Sequence, residues 1–465
     1  NEMILSPLIR WPNLVCHYNQ QFVNEIMFAS LVGMKKIIFT SLLLFNSLAY
    51  CDESLKIYFN SPIDREGPKT DCSDEICSSL LELIENAKST IDFAIYGLRG
   101  QPHILNALIA AENKGIIVRG IIDKTVDGKS YYSDTHLLEK RLRNIKSDHK
   151  SDLRTKRYLE KRNIKDNKEC ERPNFTDGPL QCFEGKGYAS KEEIFFTGDI
   201  MHNKFFIIDK RFIWTGSANI SDTGVGGYNA NIVGVLDSIY FARFYTQEFE
   251  QMYTLGDHHR QKNQLKKQEI KKYINPSTIS LFFSPQGYAM YEGVIPLINQ
   301  AEESVDLSIF FLTHKNASKA LVRAKKRGVK VRVIVDATGA TNGYSKHKYL
   351  RDNGIDVKVE SWGGKMHMKA ALIDKKHIII GSMNWTSAGE SKNDENTLVV
   401  LNDSINGKDM SNFFERLWDS IPDKFLNQDP APESLDSGAS CYDGIDNDFD
   451  KKIDGDDFIG CTINF

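Results

Sequence analysis

This sequence lacks a large net charge, long apolar runs, abundant cysteine and short internal repeats. Its 465 residues carry 59 basic and 62 acidic side chains, a formal net charge of −3. That balance excludes a chain that holds nucleic acid by bulk basicity alone. Proline numbers 13 and glycine 32, too few for a fibrous or low-complexity chain. Eight cysteines spread over this length do not make a small disulfide scaffold. The longest apolar run, Ile37 to Leu48, falls short of the roughly 20 residues that a membrane-spanning helix needs. What is present, 41% hydrophobic and 26% charged residues, describes a globular chain with room for two or three domains.

The charge is unevenly placed. Residues 429–465 hold 10 acidic and 2 basic side chains, whereas residues 50–428 hold 54 basic against 50 acidic ones. A mildly basic body therefore carries an acidic tail. Near the start, Met34-Lys35-Lys36 precedes the apolar run, and Ala49-Tyr50-Cys51-Asp52 follows it. That order of basic, apolar and small residues reads as a secretory signal peptide over 34–51. On this reading synthesis begins at Met34, and residues 1–33 are not part of the working protein. Leu48-Ala49-Tyr50-Cys51 approximates a bacterial lipobox, but Tyr50 stands where a small residue belongs, which favours free export over a lipid anchor at Cys51. The cysteines fall into local pairs, Cys72 with Cys77, Cys170 with Cys182 and Cys441 with Cys461, as expected of disulfides in an exported chain.

The body is internally duplicated. Phe59-Asn60-Ser61-Pro62 returns as Phe282-Phe283-Ser284-Pro285, and Ile91-Asp92-Phe93-Ala94-Ile95-Tyr96 as Val305-Asp306-Leu307-Ser308-Ile309-Phe310. The β-branched run Gly115 to Asp123 returns as Gly328 to Asp336. Helical patterns, Leu80 to Lys88 and Ile104 to Lys114 in one copy, Val294 to Glu303 and Ala317 to Arg327 in the other, alternate with these strands. Such alternation predicts an α/β fold with a helix-covered mixed sheet in each copy. The two long copies predict a pseudo-dimer within one chain, a monomer with two pseudo-symmetric lobes, rather than a solenoid. The lobes are expected at 55–258 and 276–425, with a basic insertion at 131–187 and a basic linker at 259–275. Lys140, Arg141, Arg143, Arg154, Lys156, Arg157, Lys161 and Arg162 lie in the insertion. Interleaved acids make a solvated helical face the leading reading of them, over an anion-binding surface.

Each copy ends in a matching motif. Met201-His202-Asn203-Lys204 runs on to Asp209, and Met366-His367-Met368-Lys369 runs on to Asp374. Each is followed by a glycine-serine turn, Gly216-Ser217-Ala218-Asn219 and Gly381-Ser382-Met383-Asn384. Residues two apart in a strand share a face, so each His points with its Lys. If the copies pack about a pseudo-twofold axis, two imidazoles and two ammonium groups converge. That set suits phosphodiester chemistry: one imidazole attacks phosphorus, the other moves protons, and the lysines neutralise phosphate charge. Ser217, Asn219, Ser382 and Asn384 would add hydrogen bonds to substrate. This scheme calls for no metal.

From Leu55 to about Phe425 the chain resembles the phospholipase D superfamily, which is marked by paired HKD motifs. The resemblance implies a two-lobed α/β/α sandwich with its site between the lobes, acting through a phosphohistidine. Carried over by position, His202 would be the nucleophile and His367 the general acid/base, although the symmetry of the site leaves that order open. Lys204 and Lys369 would bind phosphate. Asp209 and Asp374 complete the motifs and are expected to be structural, since an apolar stretch separates them from the histidines. The resemblance also implies an acid that steadies an imidazole across the pseudo-twofold, and Glu395 would hold His202. Aligned on the histidines, the first copy offers Asn229-Ala230-Asn231, where Ala230 can orient nothing.

The stretch Gly381 to Ser387, with Glu395-Asn396, is similar to the nuclease and cardiolipin-hydrolase branch. The expected substrate is phospholipid at a membrane surface, with an endonuclease on DNA or RNA as the alternative. A non-catalytic protein that holds anionic lipid is the rival of another class. After a linker at 426–440, Asp446, Asp448, Asp450, Asp454 and Asp457 alternate within a cysteine-bounded segment, 441–461, at near-EF-hand spacing. Lys451 takes the place of the turn glycine and Asp457 that of the bidentate Glu. A structural Ca²⁺ is expected there, away from the catalytic pocket.

Overall fold

The computed structural model describes residues 53–63, 65–124, 130–148, 199–263, 270–447, 452 and 461. The described residues from Leu55 onward form one compact unit. In its first lobe the strands are β1 (Ser54–Asn60), β2 (Thr90–Ile95), β3 (Leu98–Arg99), β4 (Ile117–Ile122), β5 (Asn144–Ser147), β6 (Lys204–Ile208), β7 (Phe212–Gly216), β8 (Ile220–Ser221) and β9 (Asn231–Asp237). The second lobe has β10 (Ile270–Ile274), β11 (Ser277–Ser284), β12 (Ser304–Ile309), β13 (Lys330–Val335), β14 (Asp356–Val359), β15 (Lys369–Ile373), β16 (His377–Gly381) and β17 (Glu395–Leu401). The sheet orders are β1-β9-β7-β6-β2-β4-β5 and β10-β11-β17-β16-β15-β12-β13-β14. Apart from the added β10, the second order repeats the first. In both, the strand that follows the histidine pairs antiparallel with the β-branched strand (β6 with β2, β15 with β12), and that strand pairs parallel with the next.

Side-chain alternation explains how two sheets become one body. In β6, Phe205 and Ile207 face the core that the lobes share, while Phe206 and Ile208 face the first lobe's own helices. In β15, Ala370 and Leu372 face the shared core, while Ala371 and Ile373 face the second lobe's helices. Every one of these side chains is buried, so the strands read as continuous apolar runs. Two-sided burial puts helices on both faces of each sheet, and helix Ile239–Glu250 and helix Ser404–Ser420 share the inner core with both sheets. The covering helices carry the matching stripe: Glu75–Glu85 buries Ile76, Cys77, Leu80 and Ile84, and Lys315–Lys326 buries Ala317, Ala320, Leu321 and Ala324. The duplication extends to buried charge. Arg119 is bidentate to Asp92 and reaches Glu250, and Arg332 is bidentate to Asp306 and reaches Glu415.

Part of the stretch expected as insertion belongs to the sheet. Helix Thr135–Arg141 and edge strand β5 fall inside 131–187, and β5 pairs parallel with β4. Lys140, Arg141 and Arg143 therefore lie in or beside a repeated element. Asn144-Ile145-Lys146-Ser147 alternates exposed and half-buried residues, so no apolar run marks it as a strand. Arg154, Lys156, Arg157, Lys161 and Arg162, with the Cys170–Cys182 pair, lie outside the described residues. Cys72 is bonded to Cys77 and Cys441 to Cys461. No helix among the described residues is long and apolar enough to cross a membrane.

Asp209 and Asp374 close the far ends of β6 and β15. Asp209 accepts hydrogen bonds from the backbone N–H of Lys88, Ser89 and Thr90 at 2.7–3.0 Å. Asp374 does the same for Glu302, Glu303 and Ser304. These bonds hold the turns that launch β2 and β12. The Asp209 carboxyl is held below its usual range; burial opposes this, and the three N–H groups outweigh it. Its contribution is therefore present above the unfolded value near ~3.9 and is lost as pH falls through the lower folded value. Asp209→Ala should lower the unfolding free energy by about 1–3 kcal/mol at pH 7 in a urea titration. The gap from the parent should narrow below about pH 4. A gap that stays constant through that range would contradict the capping role.

Candidate functional site

The histidines sit just before the inner ends of β6 and β15, where the two sheets meet. Met201 bridges to Asp394, and Ala230 to Met366. The His202 N–H donates to the Asp394 carbonyl at 3.0 Å, and the His367 N–H to the Ala230 carbonyl at 3.0 Å. Each histidine's backbone is thus held by the opposite lobe.

The imidazoles are held across the interface too, but by unlike groups. His202 Nδ1 lies 2.9 Å from both carboxylate oxygens of Glu395. His367 Nδ1 lies 3.1 Å from Oδ1 of Asn231. The residue placed opposite Glu395 is therefore Asn231, not Ala230. Ser217 and Asn231 are 14 positions apart and Ser382 and Glu395 are 13 apart. The extra residue in the first loop shifts the alignment by one, and Ala230 matches Asp394.

The serines support these groups rather than facing a substrate. Ser217 Oγ donates to Asn231 Oδ1 at 2.9 Å, and Ser382 Oγ to Glu395 Oε2 at 2.6 Å. Each hydroxyl also accepts a backbone N–H, from Ile232 or Asn396, at 3.0 Å. This corrects their expected role as substrate ligands, because the single hydroxyl proton of each is already committed. The preceding glycines permit the close turn. A Cβ on Gly216 would stand 2.2 Å from the Ile232 carbonyl oxygen, and one on Gly381 2.2 Å from that of Asn396. Asn219 gives its amide N–H to Tyr132 at 3.0 Å. The buried Oδ1 atoms of Asn219 and Asn384 have no hydrogen-bond partner among the described residues.

Lys204 and Lys369 are buried beneath the histidines. Each Nζ donates to the carbonyl of the histidine two residues before it, at 2.5 and 2.6 Å. Rings that the sequence reading did not single out complete the floor. Tyr96 packs edge-on to His202 at 5.2 Å, and Phe310 against His367 at 5.1 Å. Their matching places in the two copies were the available signal. Burial pushes both imidazoles well below the usual range, and the two lysines add to the effect. Burial lowers Lys204 to about 7 against the pull of Glu395 and Asp123, and burial, with Lys204 beside it, also holds Lys369 well below the usual lysine range. Burial raises Glu395 to about 8, opposed chiefly by Lys204. The pocket thus gathers cationic groups whose protons are loosely held until an anion arrives.

The acidic tail lies nearer this pocket than expected. Asp443 accepts the Tyr228 hydroxyl at 2.5 Å, and the Asn447 carbonyl accepts Lys365 Nζ at 3.0 Å, two residues from His367. Asp446 is buried in this segment. Asp448, Asp450, Asp454 and Asp457 lie outside the described residues.

The sequence is similar to that of known proteins. The family model described as cardiolipin synthase, PLD-like domain, matches residues 80–253 and 294–418. Phospholipase D of Rickettsia prowazekii (strain Madrid E) is 30% identical over 143 residues, covering 31% of this chain and 69% of that protein. Human mitochondrial cardiolipin hydrolase is 32% identical over 142 residues, covering 30% of this chain and 56% of that protein. The solved structure of Nuc from Salmonella typhimurium, a phospholipase D family member, is 28% identical, with a TM-score of 0.30 over 31% of this chain and 97% of that one. One matched stretch contains His202 and Lys204 and the other His367, Lys369 and Glu395, and the chain belongs to the PLD-like domain family, with both copies in a single polypeptide.

Proposed function

We infer that this enzyme is an exported phosphodiesterase of phospholipase D type that hydrolyses phospholipid through a phosphohistidine on His202. The observation that carries this reading is the unequal support of the two imidazoles above two buried lysines. With each Nδ1 engaged, each Nε2 is left for chemistry. Glu395 fixes the His202 tautomer and stabilises the positive charge that forms when Nε2 bonds to phosphorus. Neutral Asn231 accepts a hydrogen bond from His367 Nδ1–H and places no anion beside it; the bound phosphate offsets the lysines, so that Nε2 takes up a proton from solvent and gives it to the leaving oxygen. Water then attacks phosphorus, His367 takes its proton, and the N–P bond breaks. Lys204 and Lys369 neutralise the phosphate and the charge that grows on it. None of these steps is routed through a metal. Ca²⁺ on the Asp-rich tail is a separate, structural proposal.

The names of the relatives, phospholipase D and cardiolipin hydrolase, support lipid as the substrate class. The Cys72–Cys77 and Cys441–Cys461 disulfides support export. Protein starting at Asp52 should release headgroup from phosphatidylglycerol or cardiolipin vesicles with chelator present. His202→Asn should lose about 10⁴-fold in kcat, and Glu395→Gln about 10²- to 10⁴-fold. Cleavage of single- or double-stranded DNA with inert vesicles would replace the lipid assignment with a nuclease.

Phosphate binding offers a test independent of turnover. Lys204, near 7 in the empty pocket, must rise when an anion sits beside it. Inorganic phosphate should therefore bind with proton uptake at pH 8, and its affinity should fall as pH rises above about 7. Calorimetry in buffers of different ionisation enthalpy reads the proton count. Binding without uptake would remove Lys204 from the phosphate site.

A further inference from the structure

The two halves of the pocket differ at a second pair of positions, Asp394 and Ala230. Both side chains are fully buried, and both residues accept the backbone N–H of the opposite lobe's histidine. One is a carboxylate and the other a methyl group. The carboxylate is met by the segment that joins the lobes. His259 Nδ1 lies 3.0 Å from Asp394 Oδ2, and the His259 N–H donates to Asp394 Oδ1 at 2.8 Å. Lys262 Nζ lies 2.7 Å from Asp394 Oδ1 and also pairs with buried Glu248. His258 stands 3.8 Å away.

His259 has a second partner in the other lobe, Asp148, whose Oδ2 lies 3.3 Å from Nε2. Asp148 neighbours Asp123, at the end of β4, and the Asp123 carboxylate accepts the Met201 N–H at 2.8 Å. Asp394 holds the residues on either side, giving its N–H to the Ile200 carbonyl at 2.9 Å and its carbonyl to the His202 N–H. The strand that delivers His202 is therefore gripped by Asp123 from one lobe and Asp394 from the other. His259 is the side chain that joins the two grips. It does so from a left-handed backbone conformation, φ 54°, which is costly outside glycine. Gln286 fixes the turn by donating to the His259 and Lys262 carbonyls at 2.7 and 3.0 Å.

We propose that His259 is a positioning residue whose imidazolium ties Asp148 of the first lobe to Asp394 of the second and so sets the Ile200–His202 backbone for attack. The proposal rests on His202 being the nucleophile. The titratable groups facing His259 are Asp394, Asp148, His258 and Lys262, with Asp123 and Glu248 behind them. Burial disfavours its charge, but Asp394 and Asp148 outweigh burial and raise it well above the usual imidazole range. The clamp is thus closed at neutral pH and opens as pH rises through that raised value.

His259→Gln should lower kcat about 10- to 100-fold, the scale of a small misplacement of a reacting group, with KM within about twofold of the parent. The loss should shrink at alkaline pH, where the parent also loses the imidazolium. Nitrogen-15 spectra should show both His259 ring nitrogens protonated at pH 8. They should also show the His202 Nδ1 proton signal displaced in the variant. Should the melting curve show that His259→Gln does not fold, Asp148→Asn breaks only one leg of the clamp and should act in the same direction. Parent-like kcat with an unmoved His202 signal in a folded variant overturns the proposal. So does a neutral His259 ring at pH 8. Should the parent cleave no phosphodiester, the functional reading fails, and the ring signals alone still decide whether the clamp exists.

Discussion

Two-sided burial of β6 and β15 is the constraint from which the remainder follows. Phe205 and Ile207, and Ala370 and Leu372, must leave water on the face they share with helix Ile239–Glu250 of one lobe and helix Ser404–Ser420 of the other. The sheets meet there because a single core takes in residues of both lobes. Their meeting brings the inner ends of the two strands together, and the pocket forms at that junction. Catalytic geometry is in this sense a by-product of the largest hydrophobic term in the fold.

The same burial creates an electrostatic debt. Two ammonium groups and two imidazoles are withdrawn from water around Glu395, with Asp123 and Asp336 also acting on the lysines, and burial pushes all of these cations, and Glu395, toward their neutral forms. A site organised in this way is unfavourable when empty and is relieved by a bound anion. The lobes meet that cost with repeated stabilising devices elsewhere. The Arg119–Asp92–Glu250 and Arg332–Asp306–Glu415 clusters each join two strands to a helix, and the motif aspartates gather backbone N–H groups at the opposite ends of the strands. Repeated buried ion pairs away from the pocket hold the fold, while the pocket's own cations are left to meet substrate.

Much of this was legible in the sequence because it is carried by repetition. The β-branched runs, the His-x-Lys pairs and the glycine-serine turns return at matching positions, and the resemblance to paired-HKD enzymes implied that Glu395 holds His202. Legibility stopped where the copies fall out of register or where partners are distant. One extra residue between Ser217 and Asn231 moved the apparent counterpart of Glu395 onto Ala230. Strand β5 escaped because an exposed edge strand needs no apolar run. The serines resembled phosphate ligands because spacing cannot say which way a hydroxyl points. His259 belongs to no repeat, and its meaning depends on Asp394, which is 135 positions away.

The crossed support of the histidines has a bearing on exchange of the copies. Each lobe holds the group that steadies the other lobe's imidazole, so each histidine depends on both halves of the body. A change at Glu395 is felt 193 positions away, and one at Asn231 is felt 136 positions away. Within one chain the two copies are unlike at this position, a carboxylate in one and an amide in the other, so exchanging one copy for the other would change which imidazole has an acid beside it.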